Sequence, residues 1–410
     1  MKYYSRLQLV LLVMLLFSPA TIFAKPEILL ARTGLTAEDL AVIINDDDAQ
    51  SREVGEYYQK ARHIPAANVI HLHFPPGSDA IGKDEFQKLK SEIDFATPAH
   101  IQAYAVTWTK PFRVGCMSVT SALAFGYDAK YCSLICGATQ ASAYFNANSL
   151  HPFKDFRIRP SMMLAGESFK QVKLLIDRGV ASDYSYPAGR AYLLNTQDTI
   201  RSVRAADFAE TKKQLKGVFK IEVLKANAIS NRKDVLFYFT GLTKVPLLET
   251  LHFQPGALAD HLTSLGGQLT DSSQMSILRW LEAGATASYG TVVEPCNHTQ
   301  KFPLPGIAMF FYAKGESAIE AYWKSVAWPG EGVFVGEPLA RPFAPLLRKI
   351  SADNFELKMY MPREGQLRVE SAASGAGVFN PVAQQGLHPG LNIQQFAVPE
   401  ASNGFFRLSW

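Results

Sequence analysis

The stretch Leu40-Ala41-Val42-Ile43-Ile44, followed by Asn45-Asp46-Asp47-Asp48 and then by Val54, Tyr57, Tyr58 and Ala61, decides the fold class. Five consecutive apolar residues have the length of a strand buried on both faces. The acidic turn stops that strand. The four later residues stand at i, i+3, i+4 and i+7, the single apolar stripe of an amphipathic helix that begins near Ser51. His63-Ile64-Pro65 ends the helix, and Val69–Leu72 starts a second strand. The alternation continues outward. A helix with Phe86, Leu89 and Ile93 inward leads to a strand over 101–107, and a helix near 170–178 closes at Gly179, read as a C′ glycine. Strands follow at 191–194, 218–224 and 235–239. A helix carrying Met275, Leu278 and Leu281 precedes a strand over 285–293, and one with Ile319, Tyr322, Trp323 and Val326 on one face precedes 333–335. Buried strands separated by amphipathic helices predict an α/β fold, a mainly parallel sheet with helices on both faces.

Beyond Pro345 the pattern changes to period two: Phe355, Leu357, Met359, then Leu367, Val369, then Phe406, Leu408, Trp410. This reads as a short C-terminal antiparallel β module over 353–410, joined to an α/β domain over 25–345. A piece of fewer than about 60 residues has little core of its own, so it is expected to pack on the α/β part.

Residues 1–24 read as a signal peptide. Lys2 and Arg6 precede the apolar run 7–17, Pro19 breaks it, and Ala24 precedes Lys25. About 11 apolar residues are too few to cross ~30 Å of hydrocarbon as a helix. A secreted or periplasmic location is therefore expected, with no integral span after processing. Removing Lys2 and Arg6 turns 41 basic residues into 39 against 37 acidic ones. A net charge that small leaves no electrostatic footprint for nucleic acid.

Cys116, Cys132, Cys136 and Cys296 are an even set, and export makes them disulfide candidates. Cys132 and Cys136 are near enough to bridge locally, leaving Cys116 with Cys296, but all three connectivities stay open. Zinc wants tighter CxxC or His pairing, so no metal and no cofactor is expected.

Four clusters are candidates for chemistry. Asn45 to Asp48 follows a strand end and offers hard oxygens, or simply caps the next helix. Asp260-His261 lies in Pro255-Gly256-Ala257-Leu258-Ala259-Asp260-His261, read as a polar helix from about Gly256. There an acid and an imidazole could serve as orienter and base, the carboxylate raising the imidazole pKa. Glu294-Pro295-Cys296-Asn297-His298 follows a strand, with Glu294 as an acid/base candidate. Arg113 stands beyond a strand end where it could bind a carboxylate or phosphate, with Trp108 and Phe112 as a nearby aromatic surface. The carboxyl ends of 235–239 and 285–293 are expected to form one cleft, with Glu294, Asp260 and His261 on its rim.

The stretches SREVGEYYQKARHIPAANVI, TWTKPFRVGCMSVTSALAFG, IRPSMMLAG, LIDRGVASD, FQPGALADHLTSLGG, GATASYGTVVEP and VGEPLARPF resemble an uncharacterised family of exported bacterial proteins. That family comes from genomes carrying the exosortase (PEP-CTERM) sorting system. No Pro-Glu-Pro sorting tail is present, so the resemblance implies a companion of that system rather than an anchored substrate. The order of parts is also distantly similar to gingipain-like, caspase-fold cysteine peptidases. That resemblance implies a His-Gly at one strand end and a nucleophilic Cys at the next. Here the first position reads Thr240-Gly241, kept as candidate binding residues, and the second, at Pro255-Gly256-Ala257, has no cysteine. The expectation is a caspase-like relative without the His/Cys dyad. It would act as a binding or assembly factor for a peptide, a polysaccharide or another envelope protein, in export or surface polymer organisation. The alternative is a hydrolase using Glu294, Asp260 and His261.

Overall fold

A computed structural model describes residues 26–133, 135–270, 272–398 and 404–410, so the signal-peptide reading of 1–24 lies outside the described residues. The strand β1 (Glu27–Leu30) leaves at once for the C-terminal module. The chain then lays down β2 (Leu40–Asn45), β3 (Val69–Leu72), β4 (Ala103–Val106) and β5 (Ser161–Met163). It continues with β6 (Arg190–Asn195), β7 (Lys220–Lys225), β8 (Val235–Thr240), β9 (Phe253–His261), β10 (Ala287–Thr291) and β11 (Gly332–Gly336). These ten strands form one sheet, in the order β7-β6-β8-β9-β10-β11-β5-β4-β2-β3. Every neighbouring pair is parallel except β10 with β11. The fold is α/β, and the mainly parallel sheet is as expected.

That single antiparallel contact divides the sheet into two windings of the same kind. In each, the first strand (β2 or β6) is followed by a neighbour on its outer side (β3 or β7), and the chain then crosses to the inner side (β4 and β5, or β8 and β9). Each winding has its own switch point, and their carboxyl edges face opposite ways. The turns at the two switch points match in detail. Ser51 Oγ accepts the Asn45 N–H and shares a hydrogen with Thr107 Oγ1. Ser202 Oγ likewise accepts the Thr196 N–H and meets Thr196 Oγ1, whose hydroxyl donates to the Gly241 carbonyl.

Alternate residues along β2 enter different cores, Val42 and Ile44 one and Ala41 and Ile43 the other. One face is covered by α1 (Ala49–Arg62), with Val54 and Tyr58 inward; the other by α2 (Lys83–Ala96), with Phe86, Leu89 and Ile93 inward. Then come α3 (Val119–Phe125), α4 (Pro152–Phe156), α5 (Phe169–Ser182), α6 (Phe208–Gln214), α7 (Leu278–Ala283), α8 (Pro305–Ala313) and α9 (Ala318–Ser325).

Two local expectations are corrected. Gly179 is not a C′ residue but lies inside α5. A Cβ there would sit 2.4 Å from Glu337 Cγ, and Glu337 is a buried carboxylate that binds Arg62 and accepts from Tyr58 Oη. Close approach, not helix termination, requires the glycine. Gly→Ala in an exposed helix interior stabilises by about 1 kcal/mol. Gly179→Ala should instead destabilise by about 1–3 kcal/mol in urea unfolding, the cost of overpacking a closed site. The second correction is Phe253–His261, which is the strand β9 and not a helix.

The C-terminal module comprises β12 (Leu346–Lys349), β13 (Asn354–Met361), β14 (Gly365–Ala372), β15 (Asn380–Leu387), β16 (Gly390–Ala397) and β17 (Phe405–Ser409). Its sheets β1-β17-β14-β15 and β12-β13-β16 enclose Leu357, Met359, Leu367, Val369, Phe396, Phe406 and Leu408. It packs on the α/β part as expected: Tyr360 stacks on Phe219, and Tyr360 Oη donates to the Val218 carbonyl.

Candidate functional site

The carboxyl ends of β8 and β10 do share one edge, with β9 between them, but that edge is filled. A Cβ on Gly241 would lie 1.9 Å from the Arg201 carbonyl oxygen, and one on Gly267 would lie 2.4 Å from that of Gly290. Thr240 is buried, and its carbonyl accepts from Arg204 Nη2 at 2.6 Å.

Asp260 and His261 are fully buried at the end of β9, where strand alternation sends adjacent side chains to opposite faces. Asp260 Oδ1 lies 2.7 Å from Arg204 Nη2, although neither carboxylate oxygen has a hydrogen bond of good geometry. Burial pushes the Asp260 carboxyl up to about 6, against the pull of Arg204. His261 Nδ1 accepts from Trp280 Nε1 at 2.9 Å, and Nε2 faces the Met275 carbonyl at 3.2 Å. An indole nitrogen only donates, so the proton sits on Nε2 and the ring is held neutral. Burial lowers its pKa to about 3, opposite to the rise expected from a neighbouring carboxylate. The two residues do not form an acid–base pair.

Glu294 is exposed, and its Oε1 accepts the Cys296 N–H at 2.8 Å. Among the described residues no hydrogen bond or ion pair joins it to Asp260 or His261. The disulfides are Cys116–Cys132 and Cys136–Cys296, neither pair being the one that local spacing favoured. Glu294 lies beside the Cys136–Cys296 bridge. Arg113 belongs to a two-residue strand and donates weakly to the Gly115 carbonyl at 3.4 Å. Trp108 and Phe112 are core residues rather than an aromatic surface, with Trp108 edge-on to Phe74. Asp48 caps α1 by accepting the Gln50 N–H, while Asp46 and Asp47 meet His71 and His73.

A polar cleft of about 690 Å³ opens at the first winding's carboxyl edge, lined by Asp48, Asp79, Lys110, Glu167 and Thr270 among others. Its acidic groups are already engaged: Asp79 with Lys110 and the Thr270 hydroxyl, Glu167 with Arg279, and Asp48 with the Gln50 N–H.

A groove along α8, at the junction with the C-terminal module, is different. Its first chamber, about 520 Å³, is lined by Arg204, Asp207, Glu210, Leu304, Pro305 and Ile307. Its second, about 370 Å³, is lined by Arg32, Asn148, Lys314, Glu316, Tyr360 and Trp410. Phe310, Pro362 and Arg363 line both. Pro362, Arg363 and Glu364 form the turn between β13 and β14, so only docking of the module creates the groove. Both chambers contain buried ionic groups with unused hydrogen-bonding capacity. Arg204 Nη1 and Nη2 donate to the Pro303 and Thr240 carbonyls, but Nε has no partner. Glu316 is wholly buried; its Oε2 accepts from Lys324 Nζ at 2.5 Å, and its Oε1 lies 3.6 Å from Lys314 Nζ with no hydrogen bond. Burial raises the Glu316 carboxyl to about 8, Lys324 pulling it down and Glu320 pushing it further up. A few convergent polar groups in an apolar-walled cavity at a module junction are what a ligand site requires.

Arg204, Glu316, Lys314 and Arg363 were not singled out from sequence. A signal existed: Glu316, Glu320 and Lys324 recur every four residues through a segment whose other residues, apart from Ser317, are apolar. Compared with protein-family models, curated proteins and solved structures, the chain finds no match in any of the three.

Proposed function

We propose that the chain is an exported envelope protein acting as a binding or assembly factor, on a caspase-like scaffold without the His/Cys dyad. Its setting is the one its sequence resembles, export or surface polymer organisation in exosortase-bearing bacteria. Two disulfides fit an oxidising compartment, and among the described residues no helix is long and apolar enough to cross a membrane. All four cysteines are paired, which leaves no thiolate for peptidase chemistry. His261 is fixed neutral inside the core, so the imidazole is a packing element.

The observation that carries the binding reading is the wholly buried Glu316, a residue of the wall of a ligand-sized chamber, whose Oε1 makes no hydrogen bond and has only the Lys314 ammonium at 3.6 Å. A buried acceptor left without a donor costs about 1–3 kcal/mol, and a bound ligand would recover it. Complementation of a deletion strain tests the assignment. Arg363→Glu, at the exposed wall shared by the chambers, should fold with unchanged Tm and fail to restore the envelope phenotype; Phe310→Ala should fail likewise, with Tm lowered by the loss of its packing on the core. Glu294→Ala should restore it. The reverse pattern would transfer the function to Glu294 and return the hydrolase reading.

A further inference from the structure

We propose that the junction groove takes a neutral oligosaccharide, with one sugar ring in the chamber of Glu316, Lys314 and Asn148, among Phe310, Tyr360 and Trp410. The inference rests on the groove being the binding site and names its ligand class. Three features of the walls select it.

The first is the pairing of opposite needs. Glu316 Oε1 and the Lys314 ammonium form an ion pair at 3.6 Å, too long for a hydrogen bond, and Lys314 Nζ donates to Asn148 Oδ1 at 3.2 Å, so each keeps hydrogen-bonding capacity that the other does not fill. A hydroxyl donates and accepts at once, so vicinal hydroxyls on one ring answer both groups. A carboxylate would answer Lys314 alone, and an ammonium Glu316 alone.

The second is charge balance. Arg32 is matched by Asp39 at 2.6 Å, and the two ammonium groups of Lys314 and Lys324 stand against the carboxyl groups of Glu316 and its neighbour Glu320. In the first chamber the exposed acids Asp207 and Glu210 stand opposite the exposed Arg363. A polyanionic glycan continuing from one chamber to the other would be brought beside those acids, whereas a neutral one meets no like charge.

The third is the material of the walls. Phe310, Tyr360 and Trp410 supply half-buried aromatic surface on which the C–H face of a pyranose can lie. The walls are mainly the helix α8, the turn 362–364 and the segment 31–33 that follows the edge strand β1, so aromatic and side-chain groups rather than a long row of free N–H and C=O groups meet the ligand. Because Phe310, Pro362 and Arg363 border both chambers, a second ring continues toward the exposed Asp207 and Glu210, whose carboxylates accept from sugar hydroxyls.

Isothermal titration of the full mature protein with cellohexaose, chitohexaose and maltohexaose tests this, with hexagalacturonate and an uncharged decapeptide as comparators. At least one neutral hexasaccharide should bind. Trp410→Ala should weaken it at least tenfold with a lowered but still cooperative Tm, since Trp410 also packs on the module core, Trp410→Phe should recover most of both losses, and Glu316→Gln should weaken binding severalfold. If none of the three binds, or the galacturonate binds more tightly than all of them, the ligand class is wrong. If the decapeptide binds instead and Arg363→Glu abolishes it, the class is wrong while the groove stands. Sugar binding unaffected by Trp410→Ala, Phe310→Ala and Arg363→Glu would overturn class and groove together.

Discussion

Below pH 6 the native chain should lose stability faster than a His261→Gln variant, by about 1.4 kcal/mol per pH unit, with a total near 5 kcal/mol by pH 3. The native imidazole is wholly buried and titrates at about 3, against 6.5 when free. Between those values the unfolded chain binds a proton that the folded chain does not. Stability from this group is therefore complete above pH 6.5 and is lost as the pH falls toward 3. Glutamine keeps one acceptor for Trp280 Nε1 and one donor for the Met275 carbonyl but does not titrate. Asp260 works the other way, since its folded pKa of about 6 exceeds the free 3.8 and makes the folded chain bind the extra proton between them. It is present in both proteins and cancels in the comparison. Urea unfolding at pH 7, 5.5 and 4 measures the difference. Parallel pH profiles would show that His261 is accessible to protons in the native state and would restore it as a candidate base.

The second large effect concerns the cross-links. The Cys136–Cys296 bridge spans 160 residues of sequence and Cys116–Cys132 only 16. The chain-entropy relation assigns about 5 kcal/mol to the long loop and about 3 kcal/mol to the short one. Replacing Cys136 and Cys296 by Ala should accordingly cost about 2 kcal/mol more than replacing Cys116 and Cys132. The long bridge also holds the segment after β10, which carries Glu294, against the loop bearing Cys136. Equal losses in the two double variants, or free thiols in protein from an oxidising compartment, would contradict the pairing.

How far each element could be read depended on where its burial comes from. β2 and β8 begin with five consecutive apolar residues because a strand covered on both faces must be apolar along its length, and such runs are visible in one dimension. β9 was hidden. Its first residues contain Pro255 and Gly256, and Ala257-Leu258-Ala259 suits a helix at least as well as a strand. Only the slot between β8 and β10 makes it extended. That change of element is also why Asp260 and His261 face opposite ways, one to Arg204 and the other to Trp280. For the same reason Gly179 read as a helix end, since nothing nearby in sequence announces Glu337 against it.

By itself, then, the sequence determined the α/β class, the amphipathic faces of α1 and α2 and the β character of the last residues. All of these follow from hydrophobic period, which is a local property. Tertiary structure alone decided the antiparallel seam between two like windings, the pairing of the cysteines, the filling of the edge at Gly241 and the groove where Arg204, Glu316, Arg363 and Trp410 come together. Each of these depends on contacts between residues far apart in the chain, and burial of that kind turns a charged side chain from a solvated surface group into one that needs a partner.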